Sequence, residues 1–385
     1  MTARRCQVAT SLRHRIGTRA PLVRIGVAGA VLAALLGVAA CTPAGSATAH
    51  APTIALLLPE SKTARYEGID RPTFESVVAA RCPTCHVLYA NADQDAARQQ
   101  QQAESALTQG ASVLVLDAVD VSAATSIVAA ARSRGVVVIA YDRFIANAPL
   151  DYYVSFDNHR VGQLQGEALV HALGLDHSTD ATATATGRRK GVLLVGGAVT
   201  DPNSSVLKAE VLTALADHDV DVLAEYDTPD WSPDKAQEWV AGQLTQFAGR
   251  VDAVYAANDG TAGGAISAMK AAGLDPVPPV TGQDAELAAV QRIVSGDQYM
   301  TIYKAISQQA RSAAELAVRV VKGETPAMTV RVGGVPALLL TPVAVTKTDV
   351  QRVLIDGGVF TTEEICVQPY RQACVHLGLL GGGPS

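Results

Sequence analysis

Eight short aliphatic runs recur along the chain, spaced by amphipathic segments, and this alternation leaves few folds open. The runs are 53–58 (TIALLL), 87–90 (VLYA), 112–117 (SVLVLD), 136–142 (VVVIAYD), 152–157 (YYVSFD), 191–197 (GVLLVGG), 221–226 (DVLAEY) and 252–259 (DAVYAAND). Segments of helical period lie between them, at 92–107, 121–134, 161–172, 209–216, 233–247 and 262–272. A strand that is apolar at consecutive positions is covered on both faces, so the helices must cross over on each side of a parallel sheet. The pattern predicts an α/β protein of two doubly wound, Rossmann-like lobes, and 385 residues are enough for two such cores. Gly110, Gly135 and Gly273 each follow a helical stretch and precede a strand, where a left-handed C′ residue is expected.

The polar residues mark where a ligand goes. Several strands stay apolar and then end in groups able to bond a polyol: Tyr141-Asp142-Arg143, Phe156-Asp157-Asn158, Asn258-Asp259 and, after a Pro-interrupted run at 277–281, Gln283-Asp284. In open parallel sheets the ligand crevice lies beyond the carboxyl ends of the strands, so these positions converge on one cleft. Asp157 or Asn158, and Asp259, read as helix N-caps. Capping does not explain an Arg or a Gln-Asp pair at such an end.

The first 40 residues read as an address rather than as part of the fold. They carry six arginines and no acid, and residues 25–40 are a chargeless run of small and aliphatic residues, short of the roughly 20 that a spanning helix needs. Residues 1–40 are therefore read as a signal peptide. The run ends in Val38-Ala39-Ala40-Cys41, which resembles the bacterial lipobox, so Cys41 is the expected lipidation site and residues 41–52 a tether. The rival reading is ordinary cleavage near Ala47. The rest of the chain holds 25 bases against 37 acids, a net charge of −12, which argues against a nucleic-acid partner.

An exported chain keeps its thiols in an oxidising exterior, and the remaining cysteines form two local pairs, Cys82 with Cys85 and Cys366 with Cys374. Both are expected as disulfides, although Cys-x-x-Cys is also the spacing of redox and zinc motifs. No phosphate loop, nucleophile elbow or zinc-protease helix is present, and the eight histidines are scattered. Neither an enzyme nor a cofactor or metal is expected.

The strand ends, together with Tyr153-Val154-Ser155-Phe156-Asp157-Asn158, Gly196-Gly197, Thr261-Ala262-Gly263-Gly264, Gly282-Gln283-Asp284 and Ile302-Tyr303-Lys304, resemble the D-xylose-binding proteins of bacterial ABC sugar importers over about residues 54–357. That resemblance implies a type I periplasmic binding protein: two lobes with parallel sheets, joined by three hinge crossings, with the sugar clamped between them. It places residues 53–155 plus 303–340 in the N-terminal lobe and 156–302 plus 341–365 in the C-terminal lobe. Residues 366–385 form a tail that carries a disulfide loop, expected on the surface with the CPTC and Thr179–Arg189 insertions.

The resemblance also implies a ligand set, Arg65, Tyr66, Asp142, Arg143, Asn203, Trp231, Asn258, Asp284 and Lys304. These residue types suit a neutral sugar, because each hydroxyl both donates and accepts while its C–H faces want aromatic walls. Three cations against two carboxylates leave the set near neutral, which disfavours an anionic ligand. Tyr66 stands where the family has tryptophan, a departure that bears on pentose against hexose preference. The expected partners are a neutral monosaccharide, D-xylose first, ABC permease subunits and the outer face of the cytoplasmic membrane through the lipid, with the protein a monomer. A sensor read by a membrane receptor is the alternative output. A secreted glycoside hydrolase would need two carboxylates about 5–10 Å apart. Asp142 and Asp284 are formally such a pair, but Arg143 beside Asp142 favours its charged form where a general acid needs a raised pKa.

Overall fold

The computed structural model describes residues 51–175 and 188–380. The leader, Cys41, all but the last two residues of the tether, and the Thr179–Arg189 insertion up to residue 187 lie outside the described residues.

Twelve strands are described: β1 (Thr53–Leu58), β2 (His86–Asn91), β3 (Ala111–Leu116), β4 (Val137–Tyr141), β5 (Tyr152–Phe156), β6 (Lys190–Gly196), β7 (Val220–Asp227), β8 (Val251–Ala256), β9 (Met300–Tyr303), β10 (Val330–Val332), β11 (Val335–Leu340) and β12 (Val343–Thr346). The first lobe is a seven-stranded sheet in the order β10-β11-β5-β4-β3-β1-β2, parallel except for β10. The second has the parallel trio β7-β6-β8, extended by a bridge from Val254 to Val280, and an antiparallel pair, β9 with β12. The chain passes between these sheets after β5, after β9 and after β11.

Successive apolar residues of each central strand point to opposite faces and enter different cores, which is why the runs do not alternate with polar residues. In β1, Ala55 and Leu57 pack into one cluster with the α2 (Ala96–Thr108) and α3 (Ala124–Ser133) helices, while Ile54, Leu56 and Leu58 pack into another with α1 (Arg71–Arg81). In β6, Val192 and Leu194 face one core with α4 (Asn158–Ala172) and α5 (Pro202–Leu215); Leu193 and Val195 face another with α6 (Pro233–Gln246) and α7 (Asp259–Ala271). Gly110, Gly135 and Gly273 have φ of 85°, 71° and 79°, the left-handed C′ geometry expected of them.

Caps decide the boundaries that periodicity misplaces. Helix α2 starts at Ala96, not 92, because the Asp95 carboxylate accepts the N–H groups of Ala97 and Arg98 at 2.9 Å. Helix α5 starts seven residues before its apolar period, where Asp201 accepts from Asn203 N and Pro202 takes the first turn. Helix α7 is capped by Asn258, in a capping box with Thr261, and not by Asp259, which lies one residue inside the helix and is fully buried.

Two late helices, α8 (Leu287–Ser295) and α9 (Ile306–Val321), complete the lobes; α9 packs on α1 and under the first sheet. The expectation of a separate surface tail is corrected. Cys366 and Cys374 are disulfide-bonded and buried in one cluster with Val290, Ile293 and Val294 of α8, and α10 (Thr362–Ile365) and α11 (Arg371–His376) pack on that helix. Residues 366–380 are therefore part of a core, sharing the apolar face of α8 with Val345, Val350 and Leu354. Cys82 and Cys85 are also bonded to each other, closing the end of α1. No helix of the described residues is long and apolar enough to cross a membrane.

Candidate functional site

Both lobes order their central strands so that the first strand has its successors on either side, and each crevice opens where the strand order reverses. The loops that leave β1, β4, β6, β7, β8 and β9, with the run at 283–284, line one cleft that is partly open to solvent. All nine residues of the expected ligand set line it: Arg65, Tyr66, Asp142 and Arg143 on the first lobe, Asn203, Trp231, Asn258 and Asp284 on the second, and Lys304 at the crossing after β9. Thr63, Asp201 and Gln283 join them.

The backbone is strained where it aims these groups. Asp142, Trp231 and Asp284 have φ of 59°, 53° and 92°, the left-handed region that costs a non-glycine residue roughly 1–3 kcal/mol. Tyr153 Oη and Ser155 Oγ hold Asp142 in place by donating to its carbonyl oxygen at 2.9 and 2.7 Å. The Asp284 N–H donates to the Ile302 carbonyl at 2.8 Å, and buried Asp259 grips the same loop by accepting the Glu286 N–H at 2.9 Å.

Arg65 is fixed from three directions. Its Nε and Nη2 donate to the two oxygens of Asp70 at 2.8 and 2.9 Å, Nη2 also donates to Gln309 Oε1 at 2.7 Å, and Nη1 donates to Asp142 Oδ2 at 2.7 Å. The bidentate pair spans the π-helical turn of residues 66–70, whose i→i+5 hydrogen bonding keeps positions 65 and 70 within one turn of each other. Tyr141 donates its hydroxyl to Asp70 as well. Burial alone would raise the Asp142 carboxyl; Arg65 first, then Lys304 and Arg143, hold it well below the usual carboxylate range. The main stabilising cation is thus Arg65 rather than the neighbouring Arg143.

Among the described residues Arg143 is the largest fully buried side chain, and it lies between the carboxylates of Asp201 and Asp117. Its Nε lies 2.9 Å from Asp201 Oδ2 on the second lobe and 3.5 Å from Asp117 Oδ1 on the first, and Nη1 donates to the Ala118 carbonyl at 2.9 Å. Burial pushes the Asp117 carboxyl well up, since neither oxygen accepts a hydrogen bond and Arg143 offsets the burial only in part. Lys304 pairs with Asp284 at 3.0 Å and stands 5.2 Å above the ring of Phe156.

Asn203 and Asn258 each divide their amide between structure and cavity. Asn203 accepts from Asn158 Nδ2 at 2.9 Å and donates Nδ2 to Asp142 Oδ1 at 2.9 Å. The Asn258 oxygen is taken by Thr261 N and Oγ1 at 2.9 and 2.8 Å, and among the described residues its Nδ2 makes no bond, so it can only donate to a ligand. Glu60 is buried but turned back on its own loop, accepting the N–H groups of Lys62 and Thr63.

Sequence reasoning missed Asp70, Asp117, Asp201 and Gln309. Asp201 could be read only as a helix cap, and Gln309 sits on α9, 244 residues from the guanidinium it serves. Neither a second zinc ligand pair for CPTC nor any cluster of three metal-binding side chains occurs among the described residues. The site is a rigid cage of mutually paired donors and acceptors with aromatic walls, suited to holding a small polyol.

Comparison with known proteins agrees with this geometry. The family model for the periplasmic binding protein domain matches residues 54–325. The chain is 34% identical over 345 residues to a D-xylose-binding periplasmic protein of Haemophilus influenzae, covering 87% of this chain and 99% of that one. It is 31% identical to the multiple sugar-binding periplasmic receptor ChvE of Rhizobium radiobacter, covering 81% and 92%. Among solved structures, an ABC transporter solute-binding protein of Clostridium phytofermentans with bound β-D-glucose superposes with a TM-score of 0.73 at 26% identity, covering 81% and 99%.

Proposed function

Since the chain belongs to the periplasmic binding protein family, whose members bind solutes and are not enzymes, we propose that it captures a neutral monosaccharide, D-xylose first, for an ABC importer. The observation that carries this is the convergence of nine polar and aromatic residues from separate strand ends on one small cavity. Arg65, Arg143, Lys304 and the Asn258 amide give to sugar oxygens; Asp142 and Asp284 take hydroxyl protons; Tyr66 and Trp231 wall the C–H faces. Every cation faces at least one carboxylate, so an added anion would meet no surplus of positive charge.

The ligand bonds both lobes only when they are closed on it. It therefore has the differential affinity for the closed form that a population shift requires, and the closed form is what the permease receives. The lipid on Cys41, outside the described residues, would keep the receptor at the outer face of the cytoplasmic membrane. Asp142, held ionised, suits hydroxyl acceptance and not the proton donation of a glycoside hydrolase.

The identity of the sugar rests on likeness to the xylose-binding relative, while the multiple-sugar receptor and the glucose-bound structure make hexoses the competing ligands. A thermal-shift screen of about twenty neutral mono- and disaccharides tests the reading, since a ligand at 100 times its Kd adds about 2.7 kcal/mol. D-xylose is expected to give the largest shift. A larger shift with glucose, galactose or arabinose moves the assignment to that sugar, and no shift with any of them ends it.

A further inference from the structure

Arg143 projects from the first lobe, yet its nearest carboxylate belongs to the second. Asp201 Oδ2 is 2.9 Å from Arg143 Nε, whereas Asp117 Oδ1, on the same sheet as the arginine, stands at 3.5 Å; both are ion pairs by distance, and neither is a hydrogen bond of the Nε–H. Both members of the cross-lobe pair are buried, Arg143 at 1% exposure and Asp201 at 4%. The two oxygens of Asp201 divide their work: Oδ1 caps α5 by accepting the Asn203 N–H at 2.9 Å, and Oδ2 faces the guanidinium. Two residues along the same turn, Asn203 Nδ2 donates to Asp142 Oδ1 of the first lobe at 2.9 Å. Lys304, at the crossing after β9, pairs with Asp284 of the second lobe at 3.0 Å, and Lys62 pairs with Asp230 at 3.5 Å, the latter exposed and contributing little.

From this arrangement we infer that Asp201 is the clasp of the cleft, the residue that draws Arg143 across from Asp117 as the lobes close and so ties capture of the ligand to closure. It is a positioning residue: it acts on the ligand through the placement of Arg143. Separating the lobes removes Asp201 and leaves the buried guanidinium to the carboxylates of the first lobe, of which Asp117 at 3.5 Å is the one at ion-pair distance among the described residues. The arginine thus always has a partner, and the identity of that partner reports the state of the hinge. A buried charge left without its partner is costly, which gives the exchange its direction. The effect on sugar affinity rests on the sugar-binding reading above; the effect on lobe separation does not.

The test is Asp201→Asn, which keeps a good N-cap on α5 while removing the charge that faces Arg143. The full chain is titrated by calorimetry with D-xylose and D-glucose, and its radius of gyration is measured by small-angle X-ray scattering with and without saturating sugar. The variant is expected to melt within a few degrees of the parent, to bind at least about tenfold more weakly through faster dissociation, and to scatter as a more open form. Asp201→Ala should lose the cap in addition and show a lower melting temperature. Wild-type affinity together with wild-type radius of gyration in Asp201→Asn overturns the clasp. If the parent binds neither sugar, the sugar reading is what has failed, and the clasp is judged on the ligand-free radii: a larger one in the variant supports it, equal ones overturn it.

Discussion

The indole of Trp231 lies on the backbone of Gly197, so closely that a Cβ at position 197 would stand 2.2 Å from the six-membered ring. The ring is buried at a residue whose own φ is +53°, so it has no room to retreat. Gly197→Ala should therefore push the indole into the cavity and weaken sugar binding by about tenfold or more, measured by calorimetry, with the fold retained. Gly242→Ala, on an exposed turn of α6 with nothing within 4 Å, serves as the contrast and should stabilise the protein by about 0.5–1 kcal/mol.

Asn258 offers a cleaner separation of structure from binding. Asn258→Asp keeps the oxygen that caps α7 and replaces the amide N–H groups with an acceptor beside Asp284. The melting temperature should hold, while sugar affinity falls by about tenfold or more. Asn258→Ala should lose about 1 kcal/mol of stability as well, because the cap goes with it.

Glu286 gives the protein a pH dependence of known sign. Burial first, then Asp284 and more weakly Glu60, push its carboxyl up to about 7, against the opposing pull of Arg292 and the Ala64 N–H. Between its ordinary value of 4.5 and about 7 the folded chain keeps a proton that the unfolded chain has released. Stability should therefore fall as pH rises through that window and level off above it, by up to about 3 kcal/mol. Denaturant titrations at pH 5 and pH 8 check the direction. Glu286→Gln should remove this part of the difference, and an unchanged difference would show that other groups supply it.

The C-terminal disulfide should matter more than its short loop suggests. Cys366 and Cys374 are eight residues apart, which the chain-entropy relation converts to about 2–3 kcal/mol. Both are also buried against α8, so replacing the pair with alanine should cost at least that much and release the tail to proteolysis. Limited proteolysis of the double variant, followed by mass spectrometry, reads both effects.

Much of the site was legible because its residues lie at strand ends, where one-dimensional order already fixes a shared edge. Asp142, Arg143 and Asp284 follow apolar runs directly, and parallel strands with crossover helices bring all such ends to one side. What sequence could not supply were the groups behind them. Asp70 meets Arg65 across the π-helical turn between them, which no periodicity in the sequence marks, and Asp117 looks like any acid at the end of a strand until its burial is seen.

The alternation of apolar runs and amphipathic segments determined the two layered lobes, since a strand apolar at every position has only one environment that suits it. Composition and charge excluded nucleic acid, and the strand-end residues chose a polyol over an anion. The tertiary structure alone decided which charge pairs with which. Asp201 reaches Arg143 across 58 residues of chain and Gln309 reaches Asp142 across 167, and a pairing of that kind depends on distances that no local pattern encodes. For the same reason only the structure could move the C-terminal tail from the surface into the core, where α8 supplies the apolar face it covers.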